Sequence, residues 1–256
     1  MTDAATAATA STKVFAVNGK PTHWSEMPLY KKIKFYASAL TPDYLSYIDK
    51  LDVKKLVADI VVCAPLIRIL ESCEDFHYED LNTDFMVKAS HGCGWNISIQ
   101  KTTTRDFVLK RLQRWNTIYE GDEEPLYHML KPRFYLEKKI NCYYSGKNGV
   151  ATTFYIRCLH GTPFVIGVRQ GNVQNSYDVD WNLIKDPEIP VFEKPHKLQQ
   201  MLEIAAKLSA PFEFVRIDLY IDKDETIVFS EFTFTPSGGA QFYSDALEDR
   251  FGKLWL

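Results

Sequence analysis

The chain has 256 residues, 46% hydrophobic and 14% aromatic, with a formal net charge of −3. That is enough apolar material for one large domain or two lobes with real cores, and the near-neutral charge excludes the basic footprint of a nucleic-acid or anionic-membrane binder. Five scattered cysteines (Cys63, Cys73, Cys93, Cys142 and Cys158) form no CxxC pair, which argues against a disulfide framework or zinc site and for a reducing, cytoplasmic setting.

Residues 1–22 begin with the Ala/Thr tract MTDAATAATAST, without the basic start and apolar run of a signal peptide, and read as a disordered tail. Residues 23–40 read as one short helix or irregular packing. Thr41-Pro42-Asp43 is a helix start, an N-cap followed by Pro at the first position. Leu45, Ile48, Leu51, Leu56 and Val57 then recur at roughly helical spacing. The segment VVCAPLIRIL reads as a buried strand turning at Pro65; with Asp59, Pro65 and Arg68 in and around it, the window is too short and too interrupted to span a bilayer.

FMVKAS is a strand, HGCGWN a small loop and ISIQKT the return strand. Residues 104–120 form an amphipathic helix with Phe107, Leu109, Leu112, Trp115 and Ile118 expected inward, ended by GDEEP. RFYLEKKI is a strand or hinge. Residues 151–168 read as two strands around a His-Gly-Thr-Pro turn, 169–194 as an irregular polar loop, and Leu198–Ser209 as a helix. The order implies an α+β fold of two lobes, residues 23–135 and 136–256, and ligands often bind between such lobes.

The chemistry concentrates in VRIDLYIDKDETIVFSEFTFTPSGG, residues 215–239. Strand alternation puts Arg216, Asp218 and Tyr220 on one face, and Phe229, Glu231, Thr233 and Thr235 on one face of the next strand. A four-residue turn, Asp222–Glu225, pairs Ile221 with Thr226 and sets Phe229 opposite Asp218 and Glu231 opposite Arg216, so Asp218 and Glu231 become diagonal neighbours. Two carboxylates on one face repel unless positive charge lies between them. A hard cation such as Mg²⁺ suits such oxygen ligands, taking one or two carboxylates plus substrate phosphates. A solvated hairpin face with Arg216 pairing an acid is the plainer alternative.

Lys88 lies in a strand just before Ser90-His91-Gly92-Cys93-Gly94. Such a loop can turn backbone N–H groups onto phosphate, with the lysine as a point charge; a surface turn beside a chance lysine is the ordinary reading. The loop is neither GxxxxGK[ST] nor GxGxxG. Glu137 beside Lys138 and Lys139 is either a solvated charge run or a hinge whose acid accepts from an adenine amine. Asp49-Lys50 reads by default as a surface pair. His91 is the tempting general base, although a lone loop histidine commonly hydrogen-bonds locally. No serine triad is evident.

Together these stretches resemble the TupA-like branch of the ATP-grasp superfamily, the type linked to teichuronopeptide and surface-polysaccharide biosynthesis. The likeness runs from about Leu45 to the C-terminus. It is strongest in KPHKLQQMLEIAAKLSAPFEFVRIDLY followed by FSEFTFTPSGG. The resemblance implies an ATP-grasp fold with nucleotide between two sheets. It implies Lys50 and Lys88 on ATP phosphates, the loop Ser90, His91, Gly92 and Gly94 over them, and Glu137 and Lys138 at the adenine hinge. Arg216 and Lys88 would act catalytically, Arg216 on the transferring phosphoryl, and Asp218 and Glu231 would hold Mg²⁺. Thr233 stands where many relatives have a metal-binding Asn, and the strand Thr153–Ile156 departs from the usual Asp-Tyr-Lys-Phe near the ribose, leaving that contact unassigned. The segment before Lys50 is short, so a domain preceding the ATP-binding lobes would be reduced.

The implied activity is an ATP-dependent carboxylate–amine ligase acting through an acyl-phosphate. It would join a small carboxylate, an amino acid or similar unit, to an amine or glycan acceptor, with no nucleic-acid partner and no membrane insertion. A phosphotransferase on the same fold and a non-enzymatic nucleotide-binding scaffold are the alternatives.

Overall fold

The computed structural model describes residues 15–121, 124–146, 150–184 and 190–256. Most of the tail expected over residues 1–22 lies outside them, but Phe15 and Val17 are buried against the body of the protein. Glu213 fastens this end: its Oε1 accepts from the Val17 amide at 2.6 Å and its Oε2 from the Trp255 indole at 2.9 Å.

Two sheets organise the chain. The strands are β1 (Val62–Cys63), β2 (Leu66–Leu70), β3 (Phe85–Ala89), β4 (Asn96–Ser98), β5 (Phe134–Lys138), β6 (Thr152–Leu159), β7 (Thr162–Gln170), β8 (Val173–Tyr177), β9 (Phe214–Ile221) and β10 (Ile227–Thr233). The helices are α1 (Leu29–Ala39), α2 (Leu45–Ile48), α3 (Asp52–Val57), α4 (Arg105–Trp115), α5 (Leu198–Ser209) and α6 (Asp245–Gly252). The larger sheet has the order β1-β10-β9-β6-β7-β8 and the smaller β2-β5-β3-β4. The chain passes between them at Ala64-Pro65, where proline cannot donate to a continuing ladder. Because β1 joins the larger sheet and β5 the smaller, the sheets do not divide at residues 135/136.

On one face of the larger sheet, Ile217, Leu219, Ile156 and Ile166 lie in the same core as Leu198, Met201, Ala205 and Leu208 of α5. The opposite face is polar and carries Arg216 and Asp218. The smaller sheet packs Val87, Ala89, Phe134 and Leu136 against Val108, Leu112 and Trp115 of α4. Alternation on β3 therefore sends Met86 and Lys88 to the other side, toward the larger sheet.

Four expectations need correction. The helical run after Thr41 is broken into α2 and α3 around Asp49-Lys50. The strand after Pro65 is not buried: Ile67 and Ile69 are exposed on the edge strand β2. In α4 the inward face is Val108, Leu112 and Trp115, while Phe107 and Ile118 are 45% and 55% exposed; apolar residues at 107, 108 and 109 fit two faces, and the i, i+4, i+7 set wins. Residues expected as loop include β8, an edge strand whose VQNSY sequence lacks apolar alternation yet pairs with β7 from Val173↔Gln170 to Tyr177↔Ile166.

Candidate active site

The β9–β10 hairpin has a different register from the one alternation suggests. Ile221 pairs with Ile227 instead of Thr226, and Phe229 with Leu219 instead of Asp218. Continued without a break, that register would turn Glu231 away from Asp218. A β-bulge intervenes: Ser230 is an extra residue, after which Glu231 pairs with Asp218 and Thr233 with Arg216. Bulges re-aim side chains in this way. The two carboxylates are direct cross-strand partners on one face, closer than the diagonal arrangement expected.

Arg216 bridges them. Its Nε and Nη2 donate to the two oxygens of Asp218 at 2.7 and 2.9 Å, and Nη2 lies 3.5 Å from Glu231 Oε1. Burial opposes the charge on Arg216, but Asp218 and Glu231 raise its pKa above the ordinary arginine value. Burial lifts Asp218, with the Glu231 charge adding and Arg216 opposing. Burial acts on Glu231 too, but Lys50 and Arg216 outweigh it and lower its pKa. Arg216 also sits 5.4 Å from the Tyr155 ring centroid. That ring occupies the space above Gly167, where a Cβ would collide with it, so a glycine on β7 supports the arginine from below.

From the smaller sheet, Lys88 Nζ lies 2.5 Å from Glu137 Oε1, and Lys54 Nζ lies 2.9 Å from Glu137 Oε2. Burial opposes ionisation of both Lys88 and Glu137, yet their attraction wins, raising the lysine and lowering the acid. Glu137 is thus placed as the anchor of two lysines. Lys50, between α2 and α3, donates to Gly92 O at 2.8 Å and Tyr127 Oη at 2.7 Å, and its ammonium is 3.7 Å from Glu231 Oε2. Its neighbour Asp49 is buried, not a surface acid: it accepts from Ser90 Oγ at 2.8 Å, from the Leu51 amide and from Arg133.

These groups meet in a cavity of about 380 Å³ lined by Lys50, Lys88, Arg216, Asp218, Glu231 and Thr233, together with Cys93, Gly94, Trp95, Glu124, Tyr127, Arg169 and Ser237. A second cavity, of about 660 Å³, shares the walls Met86, Lys88, Asn96 and Tyr220 and extends to Lys139, Ile140, Asn141 and Cys142 after β5. Lys138 is exposed and lines neither cavity; Lys139 is the lysine of that segment that does. Ser90 is buried on Asp49. His91 is also absent from the lining. It is fully buried, with Nε2 2.9 Å from Trp115 O and Nδ1 accepting from the Arg133 amide at 3.3 Å, and burial lowers its pKa. With Nδ1 accepting, Nε2 carries the proton, and this neutral ring shapes the loop without facing a reactant. Gly92 has no room for a side chain, since a Cβ would lie 2.8 Å from Trp95 and 2.9 Å from Tyr119; Gly94 has φ +67°.

Sequence reasoning missed Glu124, Tyr127, Arg169 and Ser237 as lining residues. Arg169 was findable: in VIGVRQ it shares the polar face with Gly167, between buried Ile166 and Val168. Glu124 carried no signal beyond a helix-stopping turn.

The donor set fits a hard divalent cation. Two cross-strand carboxylates and the neighbouring Thr233 hydroxyl offer oxygens only, and a guanidinium already bridges both acids. Among the described residues no group of three or more His, Cys, Asp or Glu could hold a metal, so phosphate or water oxygens would complete the shell.

Two sheets with a charged cleft between them, lysines on one side and an Arg–Asp–Glu hairpin on the other, define an ATP-grasp architecture. The sequence matches the TupA-like ATP-grasp family over residues 31–256, and the chain belongs to that family. Among solved structures it is similar to an L-amino acid ligase from Bacillus licheniformis, with a TM-score of 0.51 and 14% identity over 80% of this chain and 49% of that one. It is also similar to an N5-carboxyaminoimidazole synthase from Aspergillus clavatus in complex with ADP and 5-aminoimidazole ribonucleotide (TM-score 0.46, 12% identity, 80% and 50% covered). A third is the D-alanine-D-alanine ligase from Coxiella burnetii (0.45, 13%, 86% and 57%). The chain spans about half the length of these proteins. No curated protein matched the sequence. Among the described residues no helix is long and apolar enough to cross a membrane.

Proposed function

We propose that the protein is an ATP-dependent carboxylate–amine ligase that activates its acid as an acyl-phosphate, and that it attaches an amino acid or similar unit to a surface glycan or its precursor. The observation that carries this reading is the convergence of Asp218, Glu231, Arg216, Lys50 and Lys88 on one cavity between the sheets. Asp218 and Glu231, with Thr233 beside them, would hold Mg²⁺, which when bound draws the nucleotide phosphates together and offsets their charge. Lys50 and Lys88 neutralise phosphate oxygens, and Cys93 and Gly94, the end of the glycine loop that lines the cavity, would cover them. The base would lie in the adjoining cavity by Lys139–Cys142. Arg216 stabilises the charge that builds on the transferring phosphoryl group, where fixed positive groups in a water-poor site act most strongly. No protein nucleophile is required.

Thermal shift with ATP and Mg²⁺ tests the site. Stabilisation should require both and vanish in the Asp218→Asn, Glu231→Gln double variant. Product analysis tests the chemistry: ADP and free phosphate formed only with an acid and an amine supports a ligase, whereas a phosphorylated acceptor without free phosphate means a kinase.

A further inference from the structure

Glu124 is the acid at the cavity that the activating machinery does not use. It is buried, at 3% exposure. Its Oε1 accepts from the backbone amides of Phe234 and Thr235 at 2.6 and 2.9 Å, just beyond the Glu231 strand. Among the described residues its Oε2, itself buried, has no hydrogen-bond partner. Three acids line the cavity. Asp218 is paired with Arg216, and Glu231 faces Arg216 and Lys50. Among the described residues, only Glu124 of the three has no cation within ion-pair distance. Burial lifts its carboxyl to about 7, against the pull of the Thr235 and Phe234 amides, the Thr235 side chain and the Arg216 charge.

The charges around it narrow the ligand. The lining cations Lys50, Lys88, Arg169 and Arg216 suit phosphate and a substrate carboxylate. The remaining reactant of a ligase is an amine, which arrives as an ammonium and needs an anion with a free oxygen. We infer that Glu124 is the amine subsite: its unpartnered oxygen binds the incoming ammonium and takes one of its protons. This rests on the ligase reading above. The proton passes from R–NH₃⁺ to the Glu124 carboxylate, and the amine lone pair forms the C–N bond. The C–O bond to phosphate breaks with its electron pair on the phosphate, which takes the second proton released from nitrogen. A base with a pKa close to working pH performs such transfers best.

Two measurements test it on the full chain with Mg²⁺ and ATP or a non-hydrolysable analogue. The first is a ¹³C NMR titration of the Glu124 carboxyl, with methylammonium as the probe. Methylammonium should lower the titration midpoint, and tetramethylammonium, which has no N–H, should not; no response to methylammonium, or equal responses to both, overturns the inference and leaves the ligase reading intact. The second compares products with amino acids supplied as acid and amine and with hydroxylamine as a nucleophile already neutral at pH 7.5. In Glu124→Gln, which keeps Oε1 as an acceptor, the amide-to-hydroxamate ratio should fall about 100-fold. An equal fall in both products means a structural role and overturns it. Hydroxamate and amide both absent from the wild-type reaction remove the ligase reading, and the proton transfer with it. If the variant does not fold, the amide rate of the wild type should still lose its low-pH limb when hydroxylamine replaces the amine; a limb common to both nucleophiles overturns the inference.

Discussion

Glu137 on β5 and Glu124 before Pro125 are equally buried, each at 3% exposure, and both lie at the cleft, yet their carboxyls shift in opposite directions. Burial works against charge at both. At Glu137 two lysines within 2.9 Å overcome it and the acid stays ionised. At Glu124 two backbone amides do not, and the carboxyl rises to about 7. Depth inside the protein therefore does not set ionisation; the nearest counter-charge does. The β5 side of the cleft is an electrostatic floor of paired charges, and the Glu124 side is a buried carboxyl with no lysine or arginine paired to it among the described residues.

The sharpest way to break the contrast is to remove the floor. Glu137→Ala leaves Lys54 and Lys88 facing each other without their shared anion, and should cost about 3–5 kcal/mol in urea unfolding. A cost near zero would mean that the lysines relax into solvent and that the floor is not fixed. Lys54→Met keeps the Lys88 pair and should cost less, about 1–2 kcal/mol by the same measurement.

Glu124→Gln sharpens the other side. The folded wild type holds a carboxyl raised from 4.5 to about 7. Between those values the folded state binds more protons than the unfolded chain, so this group's stabilising contribution is complete below pH 4.5 and is lost as pH rises through 7. The variant lacks that loss. Its Tm relative to wild type should therefore climb by a few degrees from pH 4.5 to 8, read by calorimetry. A difference that is flat with pH would place the carboxyl at its ordinary value and remove the contrast.

Much of this was legible in the sequence. Alternation put Arg216 and Asp218 on one face and Lys88 in a strand before a glycine loop, and the structure brings them to one cavity. The bulge at Ser230 was not legible, because a two-residue period cannot show an inserted residue in a uniformly β-prone run; it changes a diagonal acid pair into a direct one. His91 looked like a base because its loop is polar, but its partners, Trp115 and the Arg133 amide, come from distant positions. Asp49 was hidden for the same reason: Ser90 and Arg133 reach it across 41 and 84 residues. Glu124 could not be weighed at all, since its value depends on two amides 110 and 111 residues away.

The central claim is that the hairpin acids hold a cation against nucleotide phosphates. Anomalous diffraction from crystals grown with Mn²⁺ and a non-hydrolysable ATP analogue tests it most directly. A manganese peak within coordination distance of both Asp218 and Glu231, with phosphate oxygens completing the shell and Lys50 and Lys88 on the same phosphates, is the predicted result. Nucleotide bound elsewhere, or a metal touching neither carboxylate, would contradict it.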